Sequence, residues 1–141
     1  MQHLLKLCEL CNEAPNDYVY LFETPFHAGE RLTLLMEIEM PEGSIDYLPY
    51  TGFKINAKFM FASIADCAAR DMGLVMVYTR HGKCEMTPLE LNYESKLLHV
   101  ASYYRLPMLQ FTVATKDQLL QRVWGYQEST GRYKLEENRI H

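Results

Sequence analysis

The sequence has no hydrophobic run that approaches the roughly 18 to 20 apolar residues needed to span a bilayer as a helix. Its N-terminal segment interrupts an apolar pattern with Lys6 and Glu9, which is not the pattern of a secretory signal peptide. Internal repeats, low-complexity segments and linker-like stretches are also missing. In a chain of 141 residues, these absences predict one soluble, cytoplasmic domain over residues 1–141 with a core of its own.

Positive charge is too sparse and too scattered to suggest a nucleic-acid partner. The 14 lysines and arginines are dispersed among 18 acidic residues, and the formal net charge is -4. A basic stripe of the kind that tracks a phosphate backbone is not visible. We therefore expect neither nucleic acid nor a membrane as a binding partner.

Several enzyme motifs are also missing. The sequence has no glycine-rich nucleotide cradle and no Gly-x-Ser-x-Gly nucleophile elbow. The His-x-Glu and Pro-Cys-x-x-Cys motifs of the zinc deaminases are absent as well. A nucleophilic pair of Cys84 and His81 would need spatial support that a separation of three residues in a turn does not provide.

The sequence has four cysteines, and only Cys8 and Cys11 form a Cys-x-x-Cys pair. Without a second close pair, a four-thiolate zinc site has little support. Their spacing also matches one face of a helix predicted at 4–13, where Leu4 and Leu7 fall in register. We predict buried, reduced thiols, because a redox pair would instead follow a strand at a helix N-terminus.

What the sequence does contain is an alternation of strand and helix patterns. This order predicts an α/β domain with a mixed central β-sheet flanked by helices. Residues 41–52, with two prolines and two glycines, are predicted as a long loop. The other predicted elements are a helix at 4–13, a hairpin of strands 18–24 and 31–39, a helix at 56–72 stopped by Gly73, a strand at 74–79, a helix at 87–104, a strand at 108–115, a helical turn at 116–121, and a late hairpin of 123–126 with 133–135.

The most informative segment follows the predicted strand at 74–79. It reads Tyr-Thr-Arg-His-Gly over residues 78–82, and Thr-Pro-Leu-Glu follows at 87–90. A polar strand end followed by an acid that opens a helix is a common way to build a metal site. Residues 87–90 are equally well explained as a capping box with proline at the first helical position. His81 could simply leave the strand into a turn, and Arg80 is expected to face solvent.

This arrangement resembles the JAB/MPN domain, the fold of the JAMM metalloproteases, and its layout is most similar to the bacterial branch found beside ubiquitin-activating-enzyme-like proteins. The resemblance covers nearly the whole chain as a pattern. It implies a JAB/MPN-like mixed central sheet flanked by helices in a single domain. It also implies a zinc-dependent activity that removes ubiquitin-like proteins or trims their tails.

The resemblance also assigns roles to individual residues of this sequence. The implied set comprises Glu13 as general base (with Glu23 as the alternative), Thr79 where the first histidine ligand is expected, His81 as the second ligand, Thr87 as the residue that helps hold the oxyanion, and Glu90 as the acidic ligand. A catalytic zinc is held by three protein ligands and a water, and a threonine hydroxyl is a poor ligand. We therefore favour a site without a resident metal. Zinc stays possible if a third ligand comes from elsewhere in the chain, and His27 or His99 could supply it.

Three hypotheses for function follow. The favoured one is a degenerate JAB/MPN-like domain, a pseudoenzyme that binds a ubiquitin-like tail or the activating-enzyme-like partner of such a protein. Strand addition would survive loss of the metal, since main-chain hydrogen bonds supply the affinity. The alternative is an active zinc isopeptidase with a rearranged site, in which Glu13 is the base and His81 and Glu90 are ligands. The third is a homo-oligomeric scaffold whose tyrosine-rich surface forms the interface.

Overall fold

A computed structural model of the chain describes residues 18–25, 36–38, 45–48, 52–80 and 82–140. The helix predicted at 4–13, with Glu13 and the Cys8–Cys11 pair, lies outside the described residues, as do His27 and His81. The elements in chain order are β1 (Tyr18–Pro25), β2 (Met36–Ile38), β3 (Ile45–Leu48), β4 (Gly52–Ile55), α1 (Ala57–Ala69), β5 (Met72–Thr79), α2 (Pro88–Tyr104), β6 (Met108–Ala114), β7 (Leu119–Gln127) and β8 (Arg132–Ile140).

Six strands form one mixed sheet in the order β2-β1-β5-β6-β7-β8. β5 and β6 run parallel and are joined through α2, while every other neighbouring pair in this sheet is antiparallel. β3 and β4 form a separate antiparallel ribbon. The predicted α/β class and mixed central sheet are therefore confirmed.

Both described helices pack on one face of the sheet, which we call the helix face. Alternate residues of β5 and β6 join the inner faces of α1 and α2 in one apolar cluster. The intervening residues of the same strands form a second buried cluster on the opposite face. Because β5 and β6 are buried on both faces, their sequences are apolar almost without interruption. On the helix face, this cluster includes Leu74, Met76, Leu109, Phe111, Met60, Ile64 and Leu97.

The segment predicted as a long loop at 41–52 contains β3 and the first residue of β4, which pair as a ribbon, so that prediction was wrong. Ile45 pairs with Ile55 and Tyr47 with Phe53 across the ribbon. Aromatic and β-branched residues favour strands, and here this preference outweighs the tendency of proline and glycine to form turns. The prolines and glycines lie within the segment without preventing strand pairing. The Tyr93 hydroxyl donates a hydrogen bond to the Ile55 carbonyl oxygen at 2.5 Å, which ties the end of the ribbon to α2.

The end of α1 also differs from the prediction. Asn56 caps the N-terminus as expected, but the helix ends at Ala69 and Asp71 turns the chain with φ of 56°. Gly73 is part of β5, and a Cβ built there would lie 3.0 Å from the Met108 Cε atom and 3.2 Å from its Cβ. Glycine is needed at this position for the close approach of Met108 and not as a helix stop.

The helical turn predicted at 116–121 was wrong, because β7 already begins at Leu119. The Thr115 amide donates to the Gln118 carbonyl oxygen at 3.0 Å, and the Gln118 amide donates to the Thr115 hydroxyl at 3.3 Å. These bonds close a tight turn between β6 and β7, in which Ala114 pairs with Leu119. The late hairpin is confirmed but is longer than predicted on both strands.

No helix in the described part of the chain has both the length and the apolar character needed to cross a bilayer.

Candidate functional site

The end of β5 separates the two polar residues that the motif places there. Thr79 is 1% exposed, pairs with Ala114 of β6 and lies on the face opposite the helices. Arg80 follows on the helix face, where its guanidinium lies 5.4 Å from the Tyr78 ring centroid. Its amide donates to the Ala114 carbonyl oxygen at 3.0 Å, which continues the strand pairing by one residue. Arg80 is only 9% exposed, so the expectation that it faces solvent was wrong.

Residues Thr87 and Glu90 form the predicted capping box at the start of α2. The Glu90 amide donates to the Thr87 hydroxyl at 3.3 Å, and the Thr87 amide donates to Glu90 Oε1 at 2.9 Å. Pro88 occupies the first helical position. Both residues therefore have a structural role that satisfies amides at the helix N-terminus.

The second carboxylate oxygen of Glu90 is bound by Arg80. The Glu90 side chain is fully buried, and its Oε2 accepts a hydrogen bond from Arg80 Nη2 at 2.5 Å. Arg80 Nη1 also donates to the Glu85 carbonyl oxygen at 3.1 Å. One guanidinium thus joins the end of β5, the following loop and the start of α2.

These contacts bear on whether the residues present fit a zinc ion. A divalent cation at Glu90 would have to displace a guanidinium that already neutralises this carboxylate. Thr79 lies on the other face of the strand and cannot complete a site with Glu90. The described residues therefore do not fit the implied metal, while His81 and Glu13 lie outside them and their roles remain predictions.

Glu23, the alternative base, is far from this region. It pairs with Leu74 of β5, five residues before Thr79, which corresponds to roughly 17 Å along a strand. Its carboxylate is buried and forms an ion pair with Arg70. The Arg70 guanidinium also binds the Asp66 carboxylate at 2.7 Å.

Glu23, Asp66 and Cys67 place their potential ligand atoms within 4.8 Å of one another. Burial, followed by the nearby Glu23 carboxylate, raises the pKa of the Cys67 thiol to about 12. The thiol therefore stays protonated at neutral pH and is a poor metal ligand. Arg70 bridges the two carboxylates, so the cluster is explained as an ion-pair network in which Glu23 is buried while Arg70 and Asp66 are exposed to solvent.

A second arginine binds the inner face of α2 one turn after Glu90. Arg122 of β7 forms a bidentate pair with the buried Glu94, with N–O distances of 2.9 and 2.8 Å. Its remaining nitrogen donates to Glu137 of β8 at 2.5 Å. No local pattern in the sequence predicts this network, although Glu90 and Glu94 fall on the apolar face of the helix pattern. Acids at such positions signal a buried partner.

Tyr78 lies beneath α2 and is fully buried. Its hydroxyl has no hydrogen-bond partner among the described residues. Burial, together with the nearby Glu90 carboxylate, raises the pKa of Tyr78 well above its ordinary value. The phenol therefore remains neutral over the whole physiological range.

An open cleft of about 430 Å³ lies where β5 and β6 end. Loops that follow the carboxyl ends of neighbouring parallel strands commonly form ligand sites. Arg139 Nη1 braces one wall by donating to the Cys84 carbonyl oxygen at 2.7 Å and to Gln118 Oε1 at 3.3 Å. The lining residues are Gly82, Lys83, Cys84, Glu85, Thr115, Asp117, Gln118 and Arg139.

Comparison of this chain with protein-family models, with curated proteins and with solved structures found no match. The resemblance to the JAB/MPN domain therefore rests on the order of the elements and on the residues of the motif.

Proposed function

We propose that this chain is a JAB/MPN-like domain that binds the extended C-terminal tail of a ubiquitin-like protein without hydrolysing it. The observation that carries this proposal is the state of Glu90, whose two carboxylate oxygens accept hydrogen bonds from Thr87 and Arg80. In a zinc protease this carboxylate would face the substrate groove and bind the metal. Here it is fully buried and neutralised.

The Arg80–Glu90 pair is well suited to preserve the groove after loss of the chemistry. Arg80 connects the end of β5 to the 82–85 loop and to the first turn of α2. On this proposal, the elements that would surround a JAMM-type site are held together by this ion pair and not by a metal. A domain that binds the tail without cleaving it needs this framework but does not need the metal.

The cleft offers a place for the tail to bind. Small-molecule pockets are lined mostly by apolar side chains, whereas this cleft is lined by polar and charged groups. Lys83 and Arg139 can receive a terminal carboxylate, and the hydroxyl and amide groups of Thr115 and Gln118 suit main-chain peptide groups. An extended peptide end satisfies these groups better than a compact apolar ligand would.

The test uses purified full-length chain and a panel of ubiquitin-like proteins, each with its native tail and with the tail deleted. Calorimetry should detect binding that requires the tail, and Lys83→Glu should weaken it at least tenfold. Lys96→Glu, an exposed charge reversal on α2 outside the cleft, is the matched control and should leave the affinity unchanged.

Cleavage is measured in parallel on linear fusions that extend each tail by a reporter domain. We expect no product with or without added zinc. Cleavage that a chelator abolishes would overturn the proposal in favour of the zinc isopeptidase hypothesis. Failure of every tail to bind would overturn the assignment of the tail as ligand.

A further inference from the structure

β8 forms a terminal edge of the six-stranded sheet. It is nine residues long, its only strand partner among the described residues is β7, and most of its side chains are exposed. The outward amide and carbonyl groups of such an edge can pair with another strand. Edge strands usually carry charges that prevent this pairing. The arrangement of charges on β8 therefore decides whether this strand resists pairing with other strands or is complementary to a second copy of itself.

Lys134 and Glu136 of β8 carry opposite charges and have no ion-pair partner within the described part of the chain. Lys134 and Glu136 are exposed and lie on the face opposite the helices, where they pair with Gly125 and Val123 of β7. By contrast, Glu137 on the helix face is already bound to Arg122. Gly125 has no side chain, and the nearest atom to a Cβ built there would be Gln127 Nε2 at 3.8 Å.

We propose that β8 is the interface for a second copy of this chain, which pairs antiparallel about a two-fold axis at Leu135. In this register Lys134 of each copy lies opposite Glu136 of the other, so two cross-strand ion pairs form by symmetry. Arg132 lies opposite Asn138, and the two Leu135 side chains meet on the helix face. The two six-stranded sheets join into one continuous sheet with all helices on the same side.

The two neighbouring registers each set like charges opposite each other. Moving the axis to Lys134 places that lysine opposite its own copy, although it also sets Arg132 opposite Glu136. Moving the axis to Glu136 places that glutamate opposite its own copy. Like charges directly opposite each other destabilise strand pairing. The register centred on Leu135 is the one of the three that sets no like charges opposite each other.

Registers centred between two residues cannot form along this edge. Residues directly opposite each other in an antiparallel pair either both point their amide and carbonyl groups at the partner strand or both point them away. A register centred between Lys134 and Leu135 would set a residue that points at the second copy opposite one that points at β7. The possible registers are therefore centred on a residue.

A charge-swap series tests the proposal by sedimentation equilibrium over a range of concentrations. Wild type should show a monomer–dimer equilibrium, and Lys134→Glu or Glu136→Lys alone should weaken dimerisation by at least about tenfold, since each creates two like-charge pairs. The double variant Lys134→Glu/Glu136→Lys should restore dimerisation, because symmetry re-forms both ion pairs. Lys96→Glu should leave it unchanged. Circular dichroism checks that each variant folds.

A wild type that stays monomeric up to millimolar concentration would overturn the proposal. A double variant no better than the single ones would overturn the register.

A second measurement locates the contact directly. Carbodiimide joins a lysine amine to a carboxylate that it touches, and a mixture of ¹⁴N- and ¹⁵N-labelled protein distinguishes links between copies from links within one. We expect a mixed-isotope link between Lys134 and Glu136. Links within single isotopes alone would contradict the interface. Dimerisation does not depend on tail binding, so Lys83→Glu should leave the sedimentation result unchanged.

Discussion

At the scale of single residues, α2 is attached to the sheet by two buried glutamates one turn apart. Glu90 binds Arg80 at the end of β5, and Glu94 binds Arg122 on β7. Breaking a buried pair by removing one partner typically costs about 3–5 kcal/mol, because a desolvated charge is left without compensation. Replacing both partners removes this penalty.

Arg80→Met should therefore lower the free energy of unfolding by about 3 kcal/mol or more. The double variant Arg80→Met/Glu90→Gln should recover part of this loss, since Glu90 no longer carries a charge. Urea unfolding of the two variants and the wild type measures the difference. A single variant that loses less than about 1 kcal/mol would show that the pair is not desolvated as described.

The Cys67 thiol should make stability depend on pH in the alkaline range. Its pKa is raised to about 12 in the folded chain from an ordinary value near 9. Between these two values the unfolded chain releases the thiol proton while the folded chain keeps it. Unfolding therefore releases a proton, and stability falls as the pH rises above 9.

The expected contribution is about 1.5 kcal/mol between pH 9 and 10.5, because the slope reaches roughly 1.4 kcal/mol per pH unit only once the unfolded thiol is mostly ionised. It is measured as the difference in unfolding free energy between wild type and Cys67→Ala, so that the other alkaline groups cancel. The difference in unfolding free energy between the wild type and Cys67→Ala, whatever its value at pH 8, should decrease by this amount over the same pH interval. Parallel pH profiles of the two proteins would contradict the raised pKa.

Only some of these residue contacts could be predicted from the sequence. The capping box of Thr87 and Glu90 is a local pattern, so its residues and its geometry were predicted together. The burial of Glu90 and Glu94 is implied by their place on the apolar face of the helix. Their arginine partners lie on strands remote in sequence, and such pairs depend on strand order and register, which no local pattern specifies.

At the scale of elements, substitutions of Thr87 at the start of α2 test whether this residue has the structural role of a helix cap. Thr87→Ala removes the acceptor for the Glu90 amide and should cost about 1 kcal/mol of stability, while Thr87→Ser keeps the hydroxyl and should cost little. Thermal and urea unfolding measure both. Equal stability of the two variants would mean that the cap does not support the helix.

Gly73 provides a matched test of the contact between β5 and Met108. Gly73→Ala places a Cβ about 3.0 Å from Met108 Cε and 3.3 Å from the Met108 carbonyl oxygen, which leaves little room to relax. We expect destabilisation of about 1–3 kcal/mol. At Gly125 the nearest atom to such a Cβ is Gln127 Nε2 at 3.8 Å, so Gly125→Ala should be tolerated. Similar stabilities for the two variants would contradict the close approach.

Elements with strong periodicity or strong caps were predictable, and the others were not. α2 runs from Pro88 to Tyr104 as its cap and apolar spacing indicated, and β5 and β6 follow their apolar runs closely. The β3–β4 ribbon and the strand position of Gly73 were mispredicted because glycine and proline were interpreted as breakers. Glycine can also mark a place where another side chain packs against the backbone, and only the tertiary structure separates these two meanings.

At the scale of the whole molecule, the class and the mixed sheet were predictable from the order of elements, while the order of strands was not. The two proposals concern different parts of this sheet. The cleft lies at the carboxyl ends of β5 and β6, and the proposed dimer contact lies along residues 132–138 of the outer edge. Binding of a tail and pairing of two copies can therefore be tested separately on the same protein.

The position of β1 has a consequence for the order in which the chain folds. β5, α2, β6, β7 and β8 are consecutive in sequence and adjacent in space, whereas β1 pairs with β5 across roughly fifty intervening residues. Closing that long loop costs entropy before any contact compensates for it. We expect the four consecutive strands to form the folding nucleus and β1 to dock late. Val113→Ala in β6 should then mainly slow refolding, and Val19→Ala in β1 should mainly accelerate unfolding, as stopped-flow kinetics would measure. The reverse pattern would place the N-terminal strand in the nucleus, and the chain would then assemble its sheet around β1.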